Sequence, residues 1–128
     1  MKKLPDAEFE LMRIIWDNPS PISTNQIIDK LGDHSTWKPQ TVLTLLTRLI
    51  SRCFLRSERV GKERIYYPLI DKQAYLSYES AVFMRRYHAG SLKSLIHTLY
   101  TNEQLNSSDI EEIRSWLKGR EEACDADE

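Results

Sequence analysis

The sequence predicts a mostly α-helical protein: three helices, a β-hairpin, and then further helices, in a chain of 128 residues. Three observations point there. Apolar residues recur every three or four positions over most of the chain, which is the period of a helix with one buried face. One short region around Gly61 breaks that period and reads as two strands joined by a tight turn. Helix breakers fall between the periodic segments, at Pro19, Pro21, Gly32 and Gly90. Hydrophobic residues at 41% and charged residues at 29% are close to the averages of folded globular chains, so disorder throughout is excluded.

The first helix is expected to start with Asp6 as its N-cap, with Glu8 and Glu10 near the positive end of the helix dipole and an apolar stripe of Phe9, Met12, Ile15 and Trp16. It stops at Asn18-Pro19-Ser20-Pro21, because proline disfavours helix in the residue before it. Ser23 with Gln26 three residues on has the capping-box spacing for a second helix carrying Ile27, Ile28 and Leu31, and Gly32 suits its C-terminus. After Asp33-His34-Ser35-Thr36, Pro39 fits the first turn of a third helix running to about Arg52, with Val42, Leu45, Leu46, Leu49 and Cys53 as its apolar stripe. Its other side carries Gln40, Thr41, Thr44, Thr47, Arg48, Ser51 and Arg52, and no acid occurs on it.

Leu55 to Arg59 and Glu63 to Pro68 read as the hairpin, with Gly61 supplying the turn. Three later apolar stripes follow: Leu76, Phe83 and Tyr87; Leu92, Leu95, Ile96 and Leu99; and Ile110, Ile113 and Leu117. Three one-sided helices beyond an already complete small domain must bury their stripes, and a second copy of the chain offers a matching surface. A homodimer is therefore expected, the alternative being that these helices pack back on the first domain of the same chain. The domain plan is 1–70 as the three-helix and hairpin unit, 71–121 as a helical dimerisation domain and 122–128 as a frayed acidic tail.

The charge is bipolar although the net charge is only −1. From Lys38 to Arg64 seven cations face two acids, whereas from Glu103 to Glu128 nine acids face three cations. Three helices followed by a basic hairpin is the element order of a winged helix-turn-helix, in which the third helix enters the DNA major groove and the wing meets the backbone. Arg48 is the candidate base reader, since a guanidinium bonds guanine O6 and N7 together, with phosphate contact as its alternative role. Gln40, Thr41 and Thr44 lie on the half of that face that approaches base edges, with solvent exposure or bonding to the backbone as their alternative role. Lys38, Arg52, Arg56, Arg59, Lys62 and Arg64 are assigned to phosphates, with local pairing of Arg56 and Glu58 as the alternative. Trp16, Trp37, Tyr66 and Tyr67 are assigned to structure.

Other chemistries find little footing. Cys53 and Cys124 are far apart and lack metal-site spacing, and His34, His88 and His97 fall on different elements, so no catalytic grouping and no metal site is expected. The glycines make no phosphate cradle, so no nucleotide or other cofactor is expected. No apolar run is long enough to span a membrane and the N-terminus lacks the apolar core of a signal peptide, so a cytoplasmic location is expected.

At this point the chain resembles a known family, the BlaI/MecI penicillinase repressors, over Asp6 to Leu117. The likeness rests on Asp6-Ala7-Glu8-Phe9-Glu10-Leu11-Met12 with Ile15-Trp16, on Trp37-Lys38-Pro39-Gln40-Thr41 with Thr47-Arg48-Leu49, and on the wing Gly61 to Pro68. It implies a dimeric repressor of palindromic operators of the TACA/TGTA type, linked to antibiotic resistance and released when a membrane-bound sensor protease cuts it on a β-lactam signal. The cut falls where this chain has Thr98-Leu99 in place of the family's Asn-Phe. The clustered cysteines of copper-responsive relatives are not matched by Cys124 alone. A rival from another class is a winged-helix module that binds a partner protein rather than DNA; a repressor relieved by a different effector is a further one.

Overall fold

The computed structural model describes residues 1–32 and 36–126. The expected connection Asp33 to Ser35, with the candidate His34, and the last two residues of the expected tail lie outside the described residues. The elements are α1 (Asp6–Trp16), β1 (Ile22–Ser23), α2 (Thr24–Leu31), α3 (Pro39–Ser51), β2 (Leu55–Val60), β3 (Glu63–Pro68), α4 (Lys72–His88), α5 (Leu92–Thr101) and α6 (Ser107–Ala126). The chain divides into two compact units, Met1–Glu79 and Ser80–Glu128.

In the first unit, α1, α2 and α3 close over one core of Leu11, Met12, Ile15, Ile27, Val42, Leu46 and Leu49, joined by Leu55 and Tyr66 from the sheet. The sheet has three antiparallel strands in the order β1-β3-β2. The wing hairpin pairs Leu55 with Pro68 and Val60 with Glu63, leaving Gly61-Lys62 as a two-residue turn. Gly61 has φ 64, the left-handed value such a hairpin turn needs at its first position. The capping box of α2 forms as expected: the Gln26 N–H donates to Ser23 Oγ at 3.2 Å and the Ser23 N–H to Gln26 Oε1 at 2.9 Å.

Three local expectations are corrected. The N-cap of α1 is Pro5, with Asp6 already the first helical residue. Cys53 is not part of the α3 stripe: it is exposed at φ 65, just past the helix end. There the Phe54 N–H reaches Leu49 O and the Cys53 N–H reaches Ile50 O, each at 3.0 Å, a Schellman closure that turns the chain into β2. The acidic tail is shorter than expected, because α6 continues to Ala126.

The first turns of α4 belong to the first unit. Tyr75 is buried among Phe9, Trp16 and Phe54, with ring centroids 5.6, 5.7 and 5.5 Å away, and its hydroxyl accepts the Leu4 N–H at 2.9 Å. Leu76 packs against the same core, so it is not on a free dimerisation face as expected. Burial pushes the Tyr75 hydroxyl above its ordinary pKa, reinforced by the Glu79 charge and opposed by the Leu4 hydrogen bond. A raised native pKa means stability present below about pH 10 and lost as pH climbs through the native value. Tyr75→Phe is expected to lower stability at neutral pH by about 1 kcal/mol, by orphaning the Leu4 N–H, and to flatten this alkaline loss. Urea melts at pH 7 and above pH 10 test both parts.

The second unit has a different character. From Leu76 to Cys124 no residue is buried. Phe83, Tyr87, Leu92, Ile113 and Leu117 are exposed, as are Tyr100 and Trp116. Leu95, Ile96, Leu99 and Ile110 are half-buried within the single chain. His88 Nδ1 lies 2.9 Å from Ser94 Oγ, a bond between the end of α4 and the first turn of α5.

Candidate nucleic-acid interface

The third helix presents the face that the sequence reading expects. Val42, Leu45, Leu46 and Leu49 are buried, while Gln40, Thr41, Thr44, Thr47, Arg48 and Ser51 are exposed. Lys38 is the N-cap without a side-chain cap bond, and its carbonyl accepts from the Thr41 and Val42 N–H groups. Its ammonium has no acceptor to cap with and stays exposed at the positive end of the helix. Among the described residues Lys38, Arg48, Arg59 and Lys62 form no ion pair, so their charge faces solvent.

Arg59 and Arg64 sit directly opposite each other across the two wing strands, both exposed. Like charges in such a pair repel, and a phosphate between or beside them relieves the repulsion. Lys62 stands in the adjoining turn, and Arg64 Nη1 donates to Ser57 Oγ at 3.0 Å, which steadies its guanidinium.

Two of the expected phosphate contacts are engaged inside the protein. Arg56 lies over the Tyr67 ring at 3.9 Å and 3.8 Å from Glu58, so the local pairing left open by the sequence is the one that forms. Arg52 caps the end of α3 and places Nε 2.7 Å from Glu8 Oε2 of α1. The contact is ionic in character, since Oε2 receives no directed hydrogen bond. Glu8, expected only as an acid near the positive end of the α1 dipole, is buried, its side chain 2% exposed. The signal was present in the sequence, because Glu8 stands four residues before Met12 and seven before Ile15, on the buried stripe itself. The pair ties α1 to the end of the candidate recognition helix. Glu8→Gln is expected to cost about 1 kcal/mol in a urea melt, less than a fully buried pair because Arg52 is partly in water.

The remaining sequence assignments hold a structural place. Tyr66 is buried, Trp16 and Trp37 pack against the core, and Trp16 Nε1 donates to Ile70 O at 2.9 Å. Thr98 and Leu99 lie inside α5, where the Thr98 hydroxyl donates to Ser94 O at 3.0 Å. No described helix is long and apolar enough to cross a membrane.

Comparison with known proteins agrees with this geometry. The family model described as penicillinase repressor matches residues 4–119. The chain belongs to the penicillinase repressor family. Among family relatives, the penicillinase repressor of Bacillus licheniformis is 39% identical over 121 residues, covering 92% of this chain and 94% of the relative. The methicillin resistance regulatory protein MecI of Staphylococcus aureus strain N315 is 31% identical over 115 residues, covering 90% of this chain and 93% of its own. The solution structure of the DNA-binding domain of the repressor BlaI matches with a TM-score of 0.51 at 42% identity, covering 59% of this chain and 94% of that one. Like this member, that domain is a winged helix-turn-helix, and the penicillinase repressor match reaches beyond it into the second unit.

Proposed function

We propose that the protein is a cytoplasmic transcriptional repressor that binds a palindromic DNA operator as a homodimer. One observation carries the DNA reading: an acid-free, exposed α3 face stands in the same unit as a wing in which cations outnumber acids, and among the described residues Arg48, Arg59, Lys62 and Arg64 form no ion pair. A polyanion supplies the missing charge, and the double helix supplies it at the spacing of a helix and a wing. The names of the relatives agree, since they are repressors and one is studied as a DNA-binding domain.

Dimerisation is supported by the lack of any buried residue among the described residues of the second unit, because helices with exposed aromatic and aliphatic side chains gain their stability by covering them. Release by a membrane-bound sensor protease at Thr98-Leu99 would require α5 to unwind locally, since that bond is helical.

Fluorescence-anisotropy titration onto DNA from upstream of the protein's own gene, against shuffled DNA at two salt concentrations, tests the reading. A preference of roughly a hundredfold or more with a steep fall in log affinity against log salt is expected. Weak binding that ignores sequence would turn the assignment to the protein-interaction module.

A further inference from the structure

We propose that Leu43 is a specificity-determining residue that reads a thymine methyl group, so that one flank of α3 selects an A·T pair. The proposal rests on the DNA-binding reading above and adds the base that this flank takes.

Leu43 is 40% exposed in the middle of the candidate recognition helix. A single exposed leucine is ordinary on a protein surface. What gives this one meaning is the chemistry around it. The Thr44 hydroxyl donates to Gln40 O at 3.0 Å and the Thr47 hydroxyl donates to the Leu43 carbonyl itself at 2.9 Å. Each threonine has one hydroxyl proton, and both protons are spent on the backbone. These side chains therefore offer a docked duplex only methyl groups and oxygen lone pairs.

The helical period separates this flank from the cationic one. At 3.6 residues per turn, Leu43 and Thr47 fall on one side of the exposed face and Thr41 and Arg48 on the other, with Leu43 and Arg48 roughly 140° apart about the axis. One side is thus aliphatic and accepting, the other cationic and donating. In the major groove the thymine C5 methyl is the single apolar group, and its partner adenine presents the N6–H donor that an accepting hydroxyl needs. A G·C pair in the same place would set guanine O6 and N7, both acceptors, against Leu43 and Thr47, which have no free proton to give, so that the nearest donor is the Gln40 amide toward the middle of the face.

The experiment uses the full chain. An operator is first enriched from random duplexes, and each thymine of one half-site is then replaced singly by deoxyuridine, which lacks only the methyl. Anisotropy is expected to show roughly fourfold weaker binding at one or two positions, the factor for ~0.8 kcal/mol per methyl buried. Leu43→Ala is expected to bind thymine and deoxyuridine duplexes alike at those positions. Its thermal melt should match the parent's, because Leu43 is outside the core. An enriched operator indifferent to every methyl, or a methyl effect undiminished in Leu43→Ala, would overturn the proposal while leaving DNA binding in place. Failure to enrich any sequence would overturn the DNA-binding reading and this proposal with it.

Discussion

Replacing Trp116 and Leu117 together with aspartate is expected to leave the chain monomeric and to weaken operator binding by a hundredfold or more. Both residues stand on α6 with 60% and 47% of their surface exposed, in a unit where no described residue from Ser80 to Cys124 is buried. Covering such a face with a second copy removes apolar surface from water, and a carboxylate forced into that seam without a partner costs several kcal/mol. The loss propagates to DNA because two linked winged helices bind a palindrome with a gain of 10²–10⁴ over one, a factor that vanishes with the link. Light scattering would give the mass and anisotropy the affinity. A double variant that stays dimeric would place the seam elsewhere. Trp116 was absent from the expected dimerisation set because the stripe Ile110, Ile113 and Leu117 alone satisfies helical periodicity. Trp116 adjoins it, under Arg120, whose guanidinium carbon is 5.3 Å from the ring centre.

Arg48→Ala is expected to lose at least tenfold in operator affinity while leaving the melt unchanged. Arg48 is exposed on the cationic flank of α3, and among the described residues no carboxylate pairs with it, so removing it frees no buried partner. A bidentate contact to guanine is worth about 1–3 kcal/mol of discrimination, and a phosphate contact is worth less and is indifferent to sequence. The two roles separate in one measurement: a base reader loses its preference for operator over shuffled DNA, whereas a phosphate contact lowers both affinities and reduces the salt slope by about one. Unchanged affinity for both duplexes would remove Arg48 from the interface.

Much of the fold was legible because its signals are local. The Ser23–Gln26 capping box, the glycine turn at Gly61 and the buried stripe of α3 depend on residues a few positions apart, and all three form. The strand β1 escaped notice because two residues, Ile22 and Ser23, carry no period, and only pairing with Tyr66 and Ile65 makes them a strand. Cys53 was misplaced because it continues the spacing of the α3 stripe, while the backbone there has already turned left-handed to reach Phe54.

The candidate site divides along the same line. The sequence by itself determined that α3 has one apolar and one acid-free face, that the wing is basic, and that the later helices are one-sided, since periodicity and charge order belong to the chain. Only the tertiary structure decided which cations are available. Arg52 meets Glu8 and Arg56 meets Tyr67 through approaches between distant or paired elements that no spacing rule announces, whereas Arg48, Arg59 and Lys62 form no ion pair among the described residues. It also assigned Tyr75 and Leu76 to the first unit, because an aromatic cluster with Phe9, Trp16 and Phe54 draws the start of α4 onto that core. Helical propensity runs through that boundary unchanged, and the boundary exists only where packing stops.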